Sequence, residues 1–127
     1  MNNLLKPTIK PTNCKLLPIP SSATPLFALG RIAMTPSAAA LLDRHRVNVS
    51  MLLSRHQSGD WGCIGTEDRL ANIQAVADSG RILGLFRLLD ETVLNAMTPD
   101  EQRHAPTAMI STNGCRSVTT VLTQRDI

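Results

Sequence analysis

Proline placement most constrains how this chain can fold. Five of the eight prolines in the 127-residue sequence stand before residue 26. Proline fixes φ and lacks a backbone N–H, so it interrupts both helices and strands. The same stretch carries Lys6, Lys10 and Lys15 and no acidic residue. We therefore expect residues 1–24 to form a disordered, basic, proline-rich tail that is dispensable for folding, and residues 25–127 to form a single domain.

The composition supports a core but disfavours one class of binding surface. Apolar residues make up 43% of the chain, whereas aromatic residues make up only 2% and are limited to Phe27, Trp61 and Phe86. A surface that stacks the bases of single-stranded nucleic acid needs several aromatic rings. The net charge of +3 is concentrated in the tail, which holds every lysine. Electrostatic contact between the tail and nucleic acid is the alternative that this charge leaves open.

Cysteine number and hydropathy indicate the compartment. The three cysteines, Cys14, Cys63 and Cys115, are odd in number and far apart, a pattern more typical of reduced thiols than of a disulfide framework. No apolar run approaches the roughly 18 residues that a membrane-spanning helix needs, and prolines interrupt any signal-peptide core at the N-terminus. These features predict a cytoplasmic protein without a membrane partner.

Residues before position 80 have mainly helical patterns. Thr35 and Asn48 are suitable N-caps, and Pro36 suits the first position of a helix. In the third helix, which Thr66 would cap, the apolar residues at helical spacing predict a buried face comprising Leu70, Ile73, Val76 and Ala77. The predicted elements are a strand over 26–34 and helices over 36–45, 49–56 and 67–79.

The periodicity changes after Gly80, where strand patterns begin. The run 81–89 is mostly apolar and predicts a central strand. Asn113-Gly114 between strands 107–112 and 115–123 predicts a type I′ hairpin, and the insert 90–106 is predicted to hold one short helix behind a capping box. The predicted fold class is α+β, an antiparallel sheet of about four strands packed against helices on one face.

The last strand also predicts an assembly. Residues 115–123 are rich in Thr and Val and form the last of the predicted strands in chain order. A β-rich strand at a sheet edge favours pairing with a second copy. We therefore expect a homodimer through this strand.

Several short motifs together resemble a family of small bacterial proteins often labelled "plasmid-related". The resemblance covers roughly residues 27–89 and 107–127 and rests on the following motifs: Leu29-Gly30-Arg31-Ile32, Thr35-Pro36, Ser54-Arg55-His56, Ser58-Gly59-Asp60-Trp61-Gly62, Asn72, Gly80-Arg81-Ile82-Leu83 and Arg116-Ser117-Val118-Thr119-Thr120-Val121-Leu122. The tail before residue 26 and the insert 90–106 depart from the family pattern. The resemblance implies a bacterial mobile genetic element as context and implies no reaction.

The segment from Arg55 to Gly62 is the strongest candidate for a site. Gly59 and Gly62 flank Asp60 and Trp61, and glycine permits positive φ, so both side chains can reach one place. His56 is a candidate general base that Asp60 would orient. The alternative is structural, with Asp60 forming a turn and Trp61 filling the core. On that reading Arg55 and His56 remain exposed binding residues.

A second candidate set lies on the strands. Arg116 and Thr120 on the last strand, with His56 and either Arg81 or Arg87, would suit metal-independent RNA cleavage, in which cations stabilise the phosphorane. Thr is also a common strand residue. The candidate catalytic residues are therefore His56, Asp60, Arg116 and Thr120, and the candidate binding residues are Arg55, His56, Arg81 and Arg87.

Other chemistries lack a signature. The sequence has no Cys-x-x-Cys pair, no His residues at i, i+4 spacing and no phosphate-binding loop, so it predicts neither a metal site nor a cofactor. We expect a non-enzymatic accessory protein of a mobile element that binds a host protein or protein–nucleic-acid complex, for example an anti-restriction or anti-CRISPR inhibitor. The alternatives are a small ribonuclease-like toxin and a nucleic-acid-binding regulator.

Overall fold

A computed structural model describes residues 25–126, and the predicted tail lies outside them. The fold is α+β, with a four-stranded sheet and five helices in the described part of the chain. In chain order the elements are β1 (Arg31–Met34), α1 (Pro36–Arg44), α2 (Val49–Gln57), α3 (Thr66–Asp78), β2 (Ile82–Arg87), α4 (Glu91–Asn95), α5 (Pro99–Arg103), β3 (Thr107–Thr112) and β4 (Val118–Leu122). A single 3-10 turn at Gln124–Asp126 follows β4.

The sheet is mixed, and its order is β1-β4-β3-β2. β1 pairs in parallel with β4, whereas β4 with β3 and β3 with β2 are antiparallel. The prediction of a purely antiparallel sheet is therefore wrong. β4 lies inside the sheet rather than at its edge, so the premise of a homodimer through the last strand is also wrong. β2, predicted to be central, is an outer strand.

The main core lies between one face of the sheet and the helices α1 and α2. Alternate residues of each strand face these helices, as the two-residue period of a strand requires. The buried side chains of this cluster are Ala38, Leu42, Leu52, Leu53, Phe86, Leu88, Ala108, Ile110 and Val121. Aliphatic packing therefore dominates, with Phe86 as the one aromatic ring in this cluster of described residues.

A second, smaller cluster lies where α3 meets the sheet. Trp61 is 2% exposed and packs there with Phe27 and Ile64, next to Ala75 and Ile82. The guanidinium of Arg69 lies 6.0 Å from the Trp61 ring centroid, within range of a cation–π interaction. The prediction that Trp61 fills the core is confirmed.

The outer edge of β2 is closed by other parts of the chain. The side-chain amide of Asn72 on α3 donates to Leu83 O at 2.8 Å and accepts from Leu83 N at 3.1 Å. Two residues along, Leu85 N donates to Trp61 O and Cys63 N donates to Leu85 O. Because an open edge invites further strand pairing, these four hydrogen bonds end the sheet on this side.

These contacts also decide which face α3 buries. Asn72 and Ala75 are the buried residues of α3, while Leu70 is 60% exposed and Ile73 is 54% exposed. Ala77 is also exposed, so the predicted apolar face is wrong at Leu70, Ile73 and Ala77. The two hydrogen bonds of Asn72 to β2 fix the rotation of the helix, and they leave those three side chains in solvent.

The β3–β4 connection differs from the predicted type I′ turn. Positive φ occurs at Arg116, with a φ of 59°, and is absent at Asn113 and Gly114 in this described segment. Asn113 instead holds a longer loop: its Oδ1 accepts from Ser117 N at 2.9 Å and from Val118 N at 3.1 Å. The Asn side chain supplies bonds that a two-residue turn would take from the backbone.

The structure confirms the remaining predicted helix caps, whereas the number and length of some elements differ from the prediction. Thr35 and Asn48 cap α1 and α2 as expected, and Thr98 and Glu101 form the predicted capping box. The insert holds two short helices instead of one, and the first strand is shorter than predicted. Cys115 is free, whereas Cys63 is disulfide-bonded, so the expectation of a reduced thiol fails at Cys63.

The helices of this fold are short. Among the described residues no helix is both long and apolar enough to cross a bilayer. The longest of these helices, α3, has 13 residues, whereas a spanning helix needs about 20.

Replacing Asn72 tests the closure of the β2 edge. Asn72 is 4% exposed, so Asn72→Ala leaves the N–H and C=O of Leu83 without their partner. We expect a loss of about 2–6 kcal/mol in the free energy of unfolding, because each of the two groups left unpaired costs about 1–3 kcal/mol. Chemical denaturation of the variant measures this loss.

Gln74→Ala on the same helix is the matched control. Gln74 is exposed and its amide bonds to Asp78 on the helix surface, so we expect a change below about 0.5 kcal/mol. Equal stability losses in the two variants would contradict the edge-closing role of Asn72.

Candidate functional site

The Gly59–Gly62 turn, at the end of α2, has the predicted conformation. Gly59 and Gly62 have φ values of 94° and 74°, a region that side chains disfavour. A Cβ on Gly62 would also lie 2.1 Å from Leu85 O, so glycine is required where the turn passes β2. Asp60 Oδ1 accepts from Gly62 N at 3.3 Å, which confirms Asp60 as the turn-former.

Arg55 and Asp60 form an ion pair across this turn. Arg55 Nη2 contacts Asp60 Oδ2, and the Arg55 side chain is 2% exposed against 38% for Asp60. Burial lowers the pKa of Arg55, and the nearby Asp60 carboxylate opposes this effect. The expectation that Arg55 lies exposed for binding is therefore wrong, because its guanidinium is buried and paired with the Asp60 carboxylate.

His56 is also inside the protein, with no exposed surface. Its Nε2 lies 3.0 Å from Thr112 Oγ1, which lies 2.8 Å from Thr119 Oγ1. Thr119 Oγ1 donates to Leu29 O at 2.7 Å. His56 thus begins a series of three hydrogen bonds through the core, and the expectation of an exposed His56 is wrong.

Proton counting along this series fixes the state of the imidazole. Each Thr hydroxyl has one proton to donate, and Thr119 uses its proton on Leu29 O. Thr112 must therefore donate to Thr119 and accept from His56 Nε2, so Nε2 carries the ring proton. Nδ1 has no hydrogen-bond partner in the part of the chain that the structure describes.

The surroundings of Nδ1 disfavour its protonation. A Cβ on Gly84 would lie 2.8 Å from Nδ1, so the ring sits directly over a residue without a side chain. The Phe27 ring packs perpendicular to the imidazole, with the two ring centroids 5.3 Å apart. Burial lowers the pKa of His56 from 6.5 to about 4. The neutral imidazole is a core group here, out of reach of a substrate.

The other predicted site residues do not converge on His56. Arg116 turns toward α3, where its Nη2 donates to Ala75 O at 2.8 Å and its Nη1 donates to Gly80 O at 2.6 Å. Thr120 follows Thr119 on β4 and so points to the opposite face of the sheet. Arg116 is therefore a cap for the end of α3, and the four candidate catalytic groups do not share a site.

Arg81 and Arg87 lie at opposite ends of β2. Arg81 precedes the strand and is exposed, whereas Arg87 ends it and is half-buried. Arg87 Nη1 donates to Thr107 Oγ1 at 3.0 Å, and burial lowers the pKa of Arg87. At about 3.3 Å per residue the two positions are roughly 20 Å apart, so they do not form a joint binding patch with His56.

Two accessible features of the described residues offer groups to a binding partner, and the first is the outer edge of β1. Arg31 N donates to Ser117 O and Thr35 N donates to Val121 O, so odd-numbered residues face β4. Backbone groups alternate in direction along a strand, and those of Ile32 and Met34 therefore point away from the sheet. Both side chains are 41% exposed. β1 is the open edge of the described sheet.

The second accessible feature is a cleft beside α1. It has a volume of about 300 Å³, and its lining includes Arg44, His104 and Arg125. Sequence reasoning missed this group, because the three residues are isolated in the chain and belong to no motif. Within residues 25–126 no group of three or more His, Cys, Asp or Glu side chains is placed to hold a metal ion.

Comparisons with known proteins add no relative. Neither a protein-family model, nor a curated protein, nor a solved structure matches this chain. The site therefore has to be interpreted from its own geometry.

The pH dependence of stability tests the state of His56. The pKa of about 4 in the folded protein lies below the ordinary 6.5, so the unfolded chain binds the additional proton between these values. The free energy of unfolding should therefore fall as the pH decreases from 6.5 toward 4. At 1.36 kcal/mol per pKa unit, the contribution of His56 is about 3 kcal/mol.

Denaturation curves across this pH range should show that His56→Gln removes this component. His104 is exposed, and His104→Gln serves as the control that keeps the slope of the unmodified chain. A His56→Gln variant with an unchanged slope would show that the imidazole is accessible to protons in the folded state.

Trp61 offers a test of the structural role of the turn. Because Trp61 is 2% exposed, Trp61→Ala should cost about 3–5 kcal/mol through loss of packing and an unfilled cavity. Leu70→Ala, at a position that is 60% exposed, is the control and should change little. Urea denaturation measures both, and a near-neutral Trp61→Ala would refute the core assignment.

Proposed function

We propose that this protein is a non-enzymatic accessory protein of a bacterial mobile genetic element that acts by binding a host protein. The open edge of β1 is the observation that carries this proposal. The mobile-element context rests on the sequence resemblance described above. The binding mode is addition of an extended segment of the partner to β1.

The geometry of β1 suits such an addition. Ile32 and Met34 together offer two N–H and two C=O groups that point outward from the sheet, and strand addition uses main-chain groups of this kind for affinity. Their exposed side chains, at 41% each, provide apolar contacts beside those hydrogen bonds. The opposite edge is closed by Asn72 and by residues 61–63, so within residues 25–126 the β1 side of the sheet is the one left for a partner.

The positions of the candidate catalytic groups favour binding over the ribonuclease alternative. A general base must come within hydrogen-bond reach of the proton that it removes, whereas His56 is buried and bonds to Thr112. Arg116, the proposed cation for the phosphorane, donates to the carbonyls at the end of α3. Neither group has a geometry that suits phosphoryl chemistry.

The partner that we propose is a host protein with an accessible extended segment, such as a subunit of a defence complex. An inhibitor of the anti-restriction or anti-CRISPR kind needs no catalytic group, because occupation of a surface is sufficient. Strand addition also explains why specificity would depend on Ile32 and Met34, whose side chains flank the added strand.

Charge at the β1 edge provides the test. A variant carrying both Ile32→Lys and Met34→Lys places two cations where an added strand would lie, a device by which natural edge strands resist pairing. The tagged full chain is used to capture proteins from the bacterial host, followed by mass spectrometry. We expect the double variant to lose the captured host protein.

Leu70→Lys is the control for an added surface cation, because it places one such charge on an exposed apolar residue of α3, which packs at the other edge of the sheet. It should capture the partner as the unmodified chain does. Loss of the partner with Leu70→Lys alone would move the interface to α3, and RNA degradation by the purified chain would overturn the non-enzymatic proposal. A dimer that dissociates in the double variant would show that a second copy occupies the edge.

A further inference from the structure

The cleft beside α1 has a composition that differs from the rest of the surface. It lies between α1, the start of β3 and the 3-10 turn Gln124–Asp126, and its volume is about 300 Å³. This volume is at the lower end of the range of small-molecule sites. One part of its lining is apolar, with Ala40, Leu41, Ala105 and Pro106.

The polar part of the lining is cationic. Arg44 and Arg125 contribute two guanidinium groups and His104 an imidazole, and none of the lining residues within 25–126 is acidic. Arg44 and Arg125 are exposed. Neither guanidinium has an ion-pair or hydrogen-bond partner among the described residues, in contrast with Arg87 and Arg116, whose guanidinium groups donate hydrogen bonds.

A network around Asp126 fixes the chain next to Arg125. Asp126 Oδ2 accepts from Thr35 Oγ1 and from Ser37 Oγ, both at 2.7 Å, and from Thr123 N at 2.8 Å. These bonds attach the 3-10 turn to the start of α1 and hold the pKa of Asp126 at about 2. The backbone of Arg125 is therefore anchored to the helix that carries Arg44, although the two residues are 81 positions apart in the sequence.

The hydroxyl groups in the cleft are already in use. Ser37 and Thr123 bond to Asp126, and Thr107 Oγ1 donates to Ala105 O at 2.8 Å while it accepts from Arg87. The side-chain donors left for a ligand are therefore the two guanidinium groups, His104 and the amide of Gln124. A ligand that satisfies them carries an anionic group with several acceptor oxygens.

We propose that this cleft binds a small phosphate monoester, whose phosphate contacts Arg44 and Arg125 and whose organic part lies on the apolar wall. A phosphate monoester carries about −1.5 to −2 charges at neutral pH, which matches two permanent cations better than a single carboxylate does. Arginine also suits phosphate because its planar group donates two parallel hydrogen bonds. Ala40, Leu41 and Pro106 give the organic part its contact surface.

This site is independent of the β1 edge. Its function would be to make the accessory protein responsive to a small phosphorylated metabolite or nucleotide, and each site can be tested without the other. The Ile32→Lys and Met34→Lys changes leave the cleft residues intact, and the cleft variants leave the β1 edge intact.

Titration calorimetry of the full chain with adenosine monophosphate tests the proposal. We expect saturable binding, and Arg44→Gln and Arg125→Gln should each weaken it by about tenfold or more, because a hydrogen bond to a charged group is worth about 1.5–3 kcal/mol. Arg81→Gln is the matched control: Arg81 is exposed outside the cleft, and this variant should bind as the unmodified chain does. Unfolding midpoints of all three variants establish that they are folded.

The ligand series separates the two parts of the proposed contact. Adenosine lacks the phosphate and should bind at least about tenfold more weakly, since it leaves both arginines unpaired, and inorganic phosphate lacks the organic part and should also bind more weakly. Equal binding of adenosine and its monophosphate would overturn the phosphate site. Equal binding of inorganic phosphate would overturn the role of the apolar wall. If a single-stranded oligonucleotide binds and adenosine monophosphate does not, the proposal that the cleft takes a small ligand is wrong.

Discussion

The hydrogen-bond series from His56 through Thr112 and Thr119 to Leu29 O joins most of the fold. It begins on α2, crosses β3 and β4, and ends on the segment just before β1. Because each hydroxyl has a single proton to give, the series allows one imidazole tautomer and one direction of donation. An aliphatic core packs without direction, so these polar bonds define how α2 and the first strand sit on the sheet.

Local sequence patterns predict those features of the fold that hydrogen bonds between nearby residues determine, above all the helix caps. The caps at Thr35, Asn48 and Thr98 bond to backbone groups two or three residues away, and the sequence carries that information in one place. The rotation of α3 and the order of the strands depend on distant partners. Asn72 bonds to Leu83 across the turn after α3. The spacing of apolar residues within the helix does not predict a bond to a residue outside it.

In the candidate site, too, the sequence predicts the features that local bonds determine and misses those that depend on distant residues. Glycine and aspartate have local backbone roles, so the sequence alone identifies Gly59, Asp60 and Trp61 as a turn. Their use as a structural joint follows from burial of Arg55 and His56, which a single sequence does not report. Arg44 and Arg125 carry no local signal at all, since a carboxylate at Asp126 brings their chain segments together. The accessible cationic groups of the cleft therefore lie outside the Arg55–Gly62 motif.

The parallel pairing of β1 with β4 has a consequence for the order of folding. Leu29 and Thr119, whose bond anchors this pairing, are 90 residues apart in the chain. Closing a loop of that length costs entropy before any contact offsets it, and topologies rich in such contacts fold slowly. We therefore expect β1 to join the sheet after β3 and β4 have formed their hairpin. Until then β4 is itself an open edge, so the surface exposed to partners in a nascent or refolding chain differs from that of the finished protein.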